Sequence, residues 1–232
     1  MVSTTLSALV VAAHPDDEVL GCGGTLAKLR ATGWRTHVLV LAEGVTSRDP
    51  QRDASARADS LRELRSATHL AHELLGTTSV THGQFPDNRM DSVDLLDVVK
   101  TIEKCVAETQ PSRVYTHHSG DVNVDHRIAH EAVQAAVRPQ PGACVRELFF
   151  YEIPSSTEWR ASSGFGAFTP ALFTDITDHL PAKQDALACY FDEMRDWPHP
   201  RSHEAIAALA AWRGASVGCA AAEAFAVGRI IN

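Results

Sequence analysis

The first apolar run, residues 6–13 (LSALVVAA), is short, β-branched and bounded by polar residues, the pattern of a buried parallel strand. Gly21, Gly23 and Gly24 follow, and TLAKLRATG then reads as a helix that Gly33 stops. WRTHVLVLA (34–42) is a second strand, and the polar EGVTSRDPQRD leads into a helix over about 53–75, ended by Gly76. TTSVTH (77–82) predicts a third strand. SVDLLDVVKTIEKCVAE (92–108) has apolar residues at helical spacing, with Ser92 as its N-cap. SRVYTHH (112–118) predicts a fourth strand and DHRIAHEAVQAAV (125–137) a helix that stops before Pro139. Further on, VRELFFYEI (145–153) and ALFTDI (171–176) read as strands, and three helical stretches are expected between 179 and 226.

This alternation implies right-handed βαβ crossovers and an α/β fold with a mostly parallel central sheet. With no repeat, low-complexity tract or linker, residues 1–232 are expected to form one domain. In such sheets ligands bind beyond the carboxyl ends of the strands. HPDDE (14–18) follows the first strand and THHSGDVNVDH (116–126) the fourth, so two loops rich in His and Asp should share one rim.

Charge then narrows the partners. With 21 basic against 29 acidic residues the net charge is −8, which argues against a nucleic-acid binder, since neutralising phosphates takes clustered Lys and Arg. Five widely spaced cysteines, Cys22, Cys105, Cys144, Cys189 and Cys219, include no CxxC and read as reduced thiols. No basic residue precedes Lys28, as a secretory leader would require, and no early apolar run approaches a membrane span. The expectation is a cytoplasmic protein without membrane insertion.

Three adjacent carboxylates, Asp16, Asp17 and Glu18, repel one another, so HPDDE is either a well-solvated turn or a cation site. The glycines behind it do not make GxGxxG, and phosphate would be repelled by the acids. Imidazole with carboxylate suits a divalent metal, zinc first, with iron or cobalt as alternatives. His126 can complete a two-His, one-carboxylate set with His14 and Asp17, the open geometry of catalytic metal sites. Asp125 can equally be a helix cap. His130, one turn beyond His126, could face the same way; His117 and His118 alternate at the strand end, so at most one should enter the site. His69, His72, His179, His199 and His203 read as surface or structural residues.

AHPDDE after the first strand, with a D-x-N-x-DH loop after the fourth, resembles the PIG-L/LmbE-like family of zinc-dependent N-deacetylases, and FPDNRMDS between them is similar too. The resemblance spans at least residues 6–138. It implies a Rossmann-like three-layer sandwich and removal of acetyl from N-acetylglucosamine-type amino sugars or related amides, with a small N-acylated sugar or glycoconjugate as partner. Carried over by residue, it implies His14, Asp17 and His126 as ligands to Zn2+, Asp16 as general base, and Asp125 orienting a histidine. It also implies Asp87 as a contact to sugar hydroxyls. Beside it, Arg89 lies on the same rim and Arg48 and Arg57 could reach an anionic substituent. Glu18, unneeded as a ligand, would accept hydrogen bonds from the loop or an imidazole.

One position departs from the family pattern: Asn123 stands where many members carry His. Asn can donate a hydrogen bond to an oxyanion but cannot transfer a proton, so acid duty shifts towards Asp16, His117 or His118. Two other reactions fit the same fold, a thiol-conjugate amidase and a small-carboxylate hydratase; an anionic substrate would need arginines at the rim, for which Arg48, Arg57 and Arg89 are the candidates. A homo-oligomer is compatible with all of these readings.

Overall fold

In the computed structural model, which describes residues 6–161 and 166–232, seven strands form one sheet. They are β1 (Ser7–Ala12), β2 (Arg35–Ala42), β3 (Ser79–Phe85), β4 (Arg113–His117), β5 (Glu147–Tyr151), β6 (Leu172–Asp175) and β7 (Ala222–Ile230), in the order β3-β2-β1-β4-β5-β7-β6. The first five pair in parallel, and β7 runs antiparallel between β5 and β6. Strand alternation builds a core on each face. Ala8 and Val10 of β1 point into one, with Leu26 and Leu29 of helix α1 (Asp17–Ala31) and Leu75 of α2 (Ala58–Leu75). Leu9 and Val11 point into the other, with Val98 and Ile102 of α3 (Leu95–Thr109) and Val133 of α4 (Val124–Ala136). Helices α5 (Leu180–Ala188) and α6 (His203–Ala215) complete the layers. Among the described residues no helix is long and apolar enough to cross a membrane, and all five cysteines are free thiols.

Three local expectations need correction. The first helix starts earlier than TLAKLRATG: α1 begins at Asp17 and contains the three glycines, broken by non-helical backbone at Cys22 (φ −152°, ψ 26°). Their small size serves close packing. A Cβ on Gly21 would sit 2.4 Å from the Tyr151 ring, and one on Gly24 2.7 Å from Ile176. The break leaves backbone N–H groups without helical acceptors, and the Glu223 carboxylate of β7 takes two of them, Gly24 (3.0 Å) and Thr25 (2.7 Å). Lys183 of α5 neutralises Glu223 at 2.6 Å and also donates to the Leu20 carbonyl at 2.8 Å.

The second correction is β7 itself. Its alanine-rich start (AAAEAFAV) has the composition of a helix, but the strand fills the position between β5 and β6, and tertiary pairing overrides propensity. Two helices, not three, occupy the stretch between 179 and 226. Third, α3 begins after Asp94, and Ser92 closes a 3-10 turn instead of capping the helix.

The strand order places the point where the chain reverses direction between β1 and β4. A crevice opens there at the carboxyl ends of the parallel strands, and both His/Asp loops end in it.

Candidate active site

The backbone turns sharply as it leaves β1. Asp16 has φ 112°, a left-handed value that is costly for a side chain of this shape, of the order of 1–3 kcal/mol. Its carbonyl accepts the first bonds of α1, from Val19 and Leu20, while its carboxylate makes no cap bond. Freed from the helix end, that carboxylate is gripped by Arg201, Nη1 to Oδ2 2.6 Å, and Arg201 is fixed in turn by Ser155 at 2.9 Å. Burial, only partly offset by Arg201, holds the Asp16 carboxyl well above the usual carboxylate range.

Asp17 lies next to it and is fully buried. Its Oδ2 sits 3.2 Å from His14 Nδ1, 3.2 Å from His126 Nε2 and 3.6 Å from His117 Nε2. Two of these imidazoles have their far side committed. His14 Nε2 faces Asp125 Oδ2 at 3.0 Å, and His126 Nδ1 faces Asp121 Oδ2 at 3.1 Å. With the ring proton on the carboxylate side of each contact, His14 Nδ1 and His126 Nε2, both beside Asp17, are the nitrogens free to bind a metal when the rings are neutral. His117 is different: its Nε2 accepts from the Ala13 N–H at 2.8 Å and its ring stacks on His126 with centroids 4.0 Å apart.

The groups of this cluster shift one another strongly. Burial opposes every charge in it. Even so, the surrounding histidines hold the Asp17 carboxyl well below its ordinary range. Against the same burial, Asp125 and Asp17 hold His14 well above its ordinary value, and Asp17 with Asp121 raises His126 to about 9. Burial and the neighbouring His126 push His117 well below its ordinary value. Asp17 Oδ1 and His126 Nε2 are buried without hydrogen-bond partners. His14, Asp17 and His126 have donor atoms within 4.8 Å of one another and could hold a divalent ion, which would supply positive charge beside the buried carboxylate. A second group, His14, Asp87 and Asp125, is also close enough to be considered. There, however, Asp125 is already spent on the N–H groups of Asn88 (2.7 Å) and Met90 (2.9 Å) as well as on His14.

The remaining predicted residues divide. His14, Asp16, Arg48, Asp87, Asn88 and Asn123 all line one open cleft of about 120 Å³, together with Arg201. Asn123 is the N-cap of α4: its Oδ1 accepts from Asp125 N at 2.8 Å and its Nδ2 donates to Asn88 Oδ1 at 2.7 Å. Asp125 therefore does not cap the helix. Asp87 accepts from Ser47 N at 3.0 Å. Arg89 is not brought to the cleft wall and donates to the carbonyls of Asp49 (3.5 Å) and Pro50 (3.2 Å). Arg48 is paired with Glu193 at 2.5 Å, and Arg57 with both oxygens of Asp49. His130 turns to the His117 carbonyl at 2.9 Å, and His118 accepts from Gly120 N at 3.0 Å, both away from the cluster. Glu18 is buried and accepts from Tyr190 (2.6 Å), faces His72 (3.1 Å) and braces the Asp16 amide (3.1 Å).

Two residues of this arrangement escape a sequence reading. Asp121 holds His126 and gathers Ser156, Thr157 at 2.8 Å and the Asn123 amide at 2.8 Å; these contacts and His126 itself bring its carboxyl down to about 2 despite burial. Its one sequence signal is its place as first residue of the D-x-N-x-DH loop. Arg201 carries no local signal, since it lies 185 residues from Asp16.

Several known proteins are similar to this chain. An Escherichia coli K12 protein described as an uncharacterized deacetylase, YaiS, is 28% identical over 73% of this chain and 82% of its own. A probable N-acetyl-alpha-D-glucosaminyl L-malate deacetylase 2 of Bacillus anthracis is 26% identical over 80% of each chain. Among solved structures, GalB, the 4-carboxy-2-hydroxymuconate hydratase of Pseudomonas putida KT2440, superposes with a TM-score of 0.75, is 25% identical, and matches 98% of this chain and 99% of its own. The family model described as GlcNAc-PI de-N-acetylase, PIG-L, matches residues 9–137, a span that begins in β1, ends just past α4 and carries every residue of the buried His/Asp cluster. On that match the chain belongs to the PIG-L family of de-N-acetylases.

Proposed function

We propose that the protein is a zinc-dependent amide hydrolase that removes an N-acetyl or short N-acyl group from an amino sugar or glycoconjugate. The observation that carries this reading is Asp16. It is a cleft-lining carboxylate with no part in the His14, Asp17, His126 donor set, held by Arg201 beside it. A pure metal-binding module has no use for such a group; a hydrolase needs it as base. The family description and the name of the B. anthracis relative support an amino-sugar amide as substrate.

His14 Nδ1, Asp17 and His126 Nε2 would hold the metal, with Asp125 and Asp121 fixing the two imidazoles in the ligating tautomer. When bound, zinc polarises an amide carbonyl and makes water a better nucleophile at neutral pH. Asp16 takes the proton from the attacking water and returns it to the departing amine nitrogen, with Arg201 fixing the carboxylate throughout. Asn123 spends Oδ1 on the helix cap and one Nδ2 hydrogen on Asn88, which leaves its second N–H for the oxyanion that develops on the carbonyl. Asp87, held by Ser47, accepts from sugar hydroxyls.

Hydration of a small carboxylate, the reaction named for the P. putida relative, is the weaker reading. Arg48 and Arg57 are paired with acids, Arg89 with carbonyls and Arg201 with Asp16, so among the described residues the rim offers no uncommitted arginine cluster for an anionic substrate. The test is a screen of zinc-loaded enzyme against N-acetylated amino sugars, simple acylated amines and small unsaturated carboxylates, scored for freed amine and for hydration. Amine release from the sugars is expected, and Asp16→Asn should retain zinc while losing about 10²–10⁴ in kcat. Absence of amine release from any sugar, or near-wild-type turnover by Asp16→Asn, overturns the reading.

A further inference from the structure

Beside the catalytic cleft lies a second cavity of about 150 Å³ that no part of the chemistry above requires. The two share four wall residues, Val45, Arg48, Leu64 and Glu193, so they are adjoining chambers of one depression. The Arg48–Glu193 ion pair spans the shared wall, with Nη2 2.5 Å from Oε1. The chambers differ in character. The catalytic one is lined by the polar side chains of His14, Asp16, Asp87, Asn123 and Arg201. The second is floored by α2, where Leu64 and Ala67 face Val45, and Phe191 stands at its rim with 84% of its surface exposed.

We propose that this second cavity is a subsite for an uncharged apolar substituent, about a phenyl ring in size, carried by the substrate. The proposal rests on the amide-hydrolase reading above and adds the substrate's second group to it. A void of roughly 150 Å³ has room for benzene, which sets the size; here the cavity is open, and Ser60, Glu63, Asp192 and Glu193 share its wall with Val45, Leu64, Ala67 and Phe191. Charge sets the rest. Glu63, Asp192 and Glu193 line the cavity against one cation, Arg48, which Glu193 already engages, so carboxylate- or phosphate-bearing substituents are repelled. Leu64, Ala67 and Phe191 give an uncharged apolar group its contacts on the floor and at the rim. The substituent could be attached as an aglycone or as the N-acyl group itself, and the chemistry recognised is the same.

The test compares three substrates: free N-acetylglucosamine, its phenyl glycoside, and N-benzoylglucosamine. The zinc-loaded wild type should prefer one of the two aryl compounds by about tenfold or more in kcat/KM, the worth of withdrawing roughly 60 Å² of ring surface from water. Which compound gains identifies the point of attachment. Ala67→Leu, which fills the floor, and Phe191→Ala, which removes the exposed rim, should each erase most of that preference; the second variant changes only a surface side chain and keeps the test sound if the first misfolds. Saturation-transfer NMR on the phenyl glycoside provides a readout independent of turnover, with the ring protons saturating more strongly than the sugar's in wild type and weakly in both variants. Equal kcat/KM for all three substrates, or an aryl preference untouched by both variants, overturns the subsite. If no sugar releases amine while the ring protons still saturate in a variant-sensitive way, the subsite stands and the deacetylase reading falls.

Discussion

Replacing Asp121 by Asn removes one charge and changes little else in size, yet it should cost the protein much of its metal affinity. The Asp121 carboxylate accepts on both oxygens: Ser156 and the Asn123 amide on Oδ1, Thr157 and His126 on Oδ2. An amide cannot reproduce that. If its NH2 occupies the Oδ2 position, His126 Nδ1 must become an acceptor, which moves the ring proton to Nε2, the nitrogen needed to hold a metal. If the amide is flipped, the NH2 meets the Asn123 N–H donor at 2.8 Å, a buried donor–donor contact that costs about 1–3 kcal/mol. Either route falls in the range of a lost partner to a metal-bound histidine, about 10–100-fold in affinity, or about 1.4–2.8 kcal/mol. The assay is competition for Zn2+ against a chromophoric chelator near pH 7, with Co2+ spectra as a check on ligand geometry and circular dichroism as a check on folding. A folded Asp121→Asn protein that binds zinc within twofold of wild type would refute the assignment of His126 as a ligand held by Asp121.

Three further outcomes are expected. Arg201→Gln removes a charge-assisted bond of 2.6 Å from Asp16 and should lower kcat by about 10–150-fold with KM little changed, from the 1.5–3 kcal/mol such bonds are worth. Because Arg201 works to lower the Asp16 carboxyl, losing it raises that group further, so the acid limb of the pH–rate profile should move to higher pH; an unmoved limb would separate Arg201 from the base. Asn123→Asp keeps the cap on α4 but sets a charge against the oxyanion, so kcat should fall by about 10² or more while thermal stability changes little; an active variant would reduce Asn123 to a loop-shaping role. Gly21→Ala drives a methyl into the Tyr151 ring and should destabilise by about 1–3 kcal/mol, lowering Tm by about 2–12 °C, as calorimetry will show.

Legibility from sequence followed the range of the interactions. The parallel strands were readable because a doubly buried strand is a continuous apolar run, as in LSALVVAA and WRTHVLVLA, and periodicity is local. The ligand candidates were readable because each sits within a few residues of a strand end in a residue-type pattern that repulsion alone disfavours. Arg201, Glu193 and Tyr190 were not, because each acts on the amino-terminal half of the site from a segment with no pattern of its own. The start of α1, ahead of its glycines, is hidden for a related reason. Their justification is the close approach of Tyr151 and Ile176, more than a hundred residues away in the chain, and seen without those partners a glycine cluster reads as a turn. The start of β7 failed because its alanines favour a helix until two neighbouring strands offer hydrogen bonds.

The carboxylate that closes the break in α1 also dictates a timetable. Gly24 and Thr25 are synthesised early, but Glu223 leaves the ribosome 198 residues after Thr25. Until then the helix that begins with Asp17 and Glu18 has no acceptor for its interrupted backbone, and Lys183 has no anion to oppose. The nascent chain can pair β1 with β2 and β4 long before that helix is anchored. The amino-terminal half of the site is therefore among the first segments made and among the last set in place, and a chain arrested before β7 would carry HPDDE at the head of a helix whose second half is unmoored.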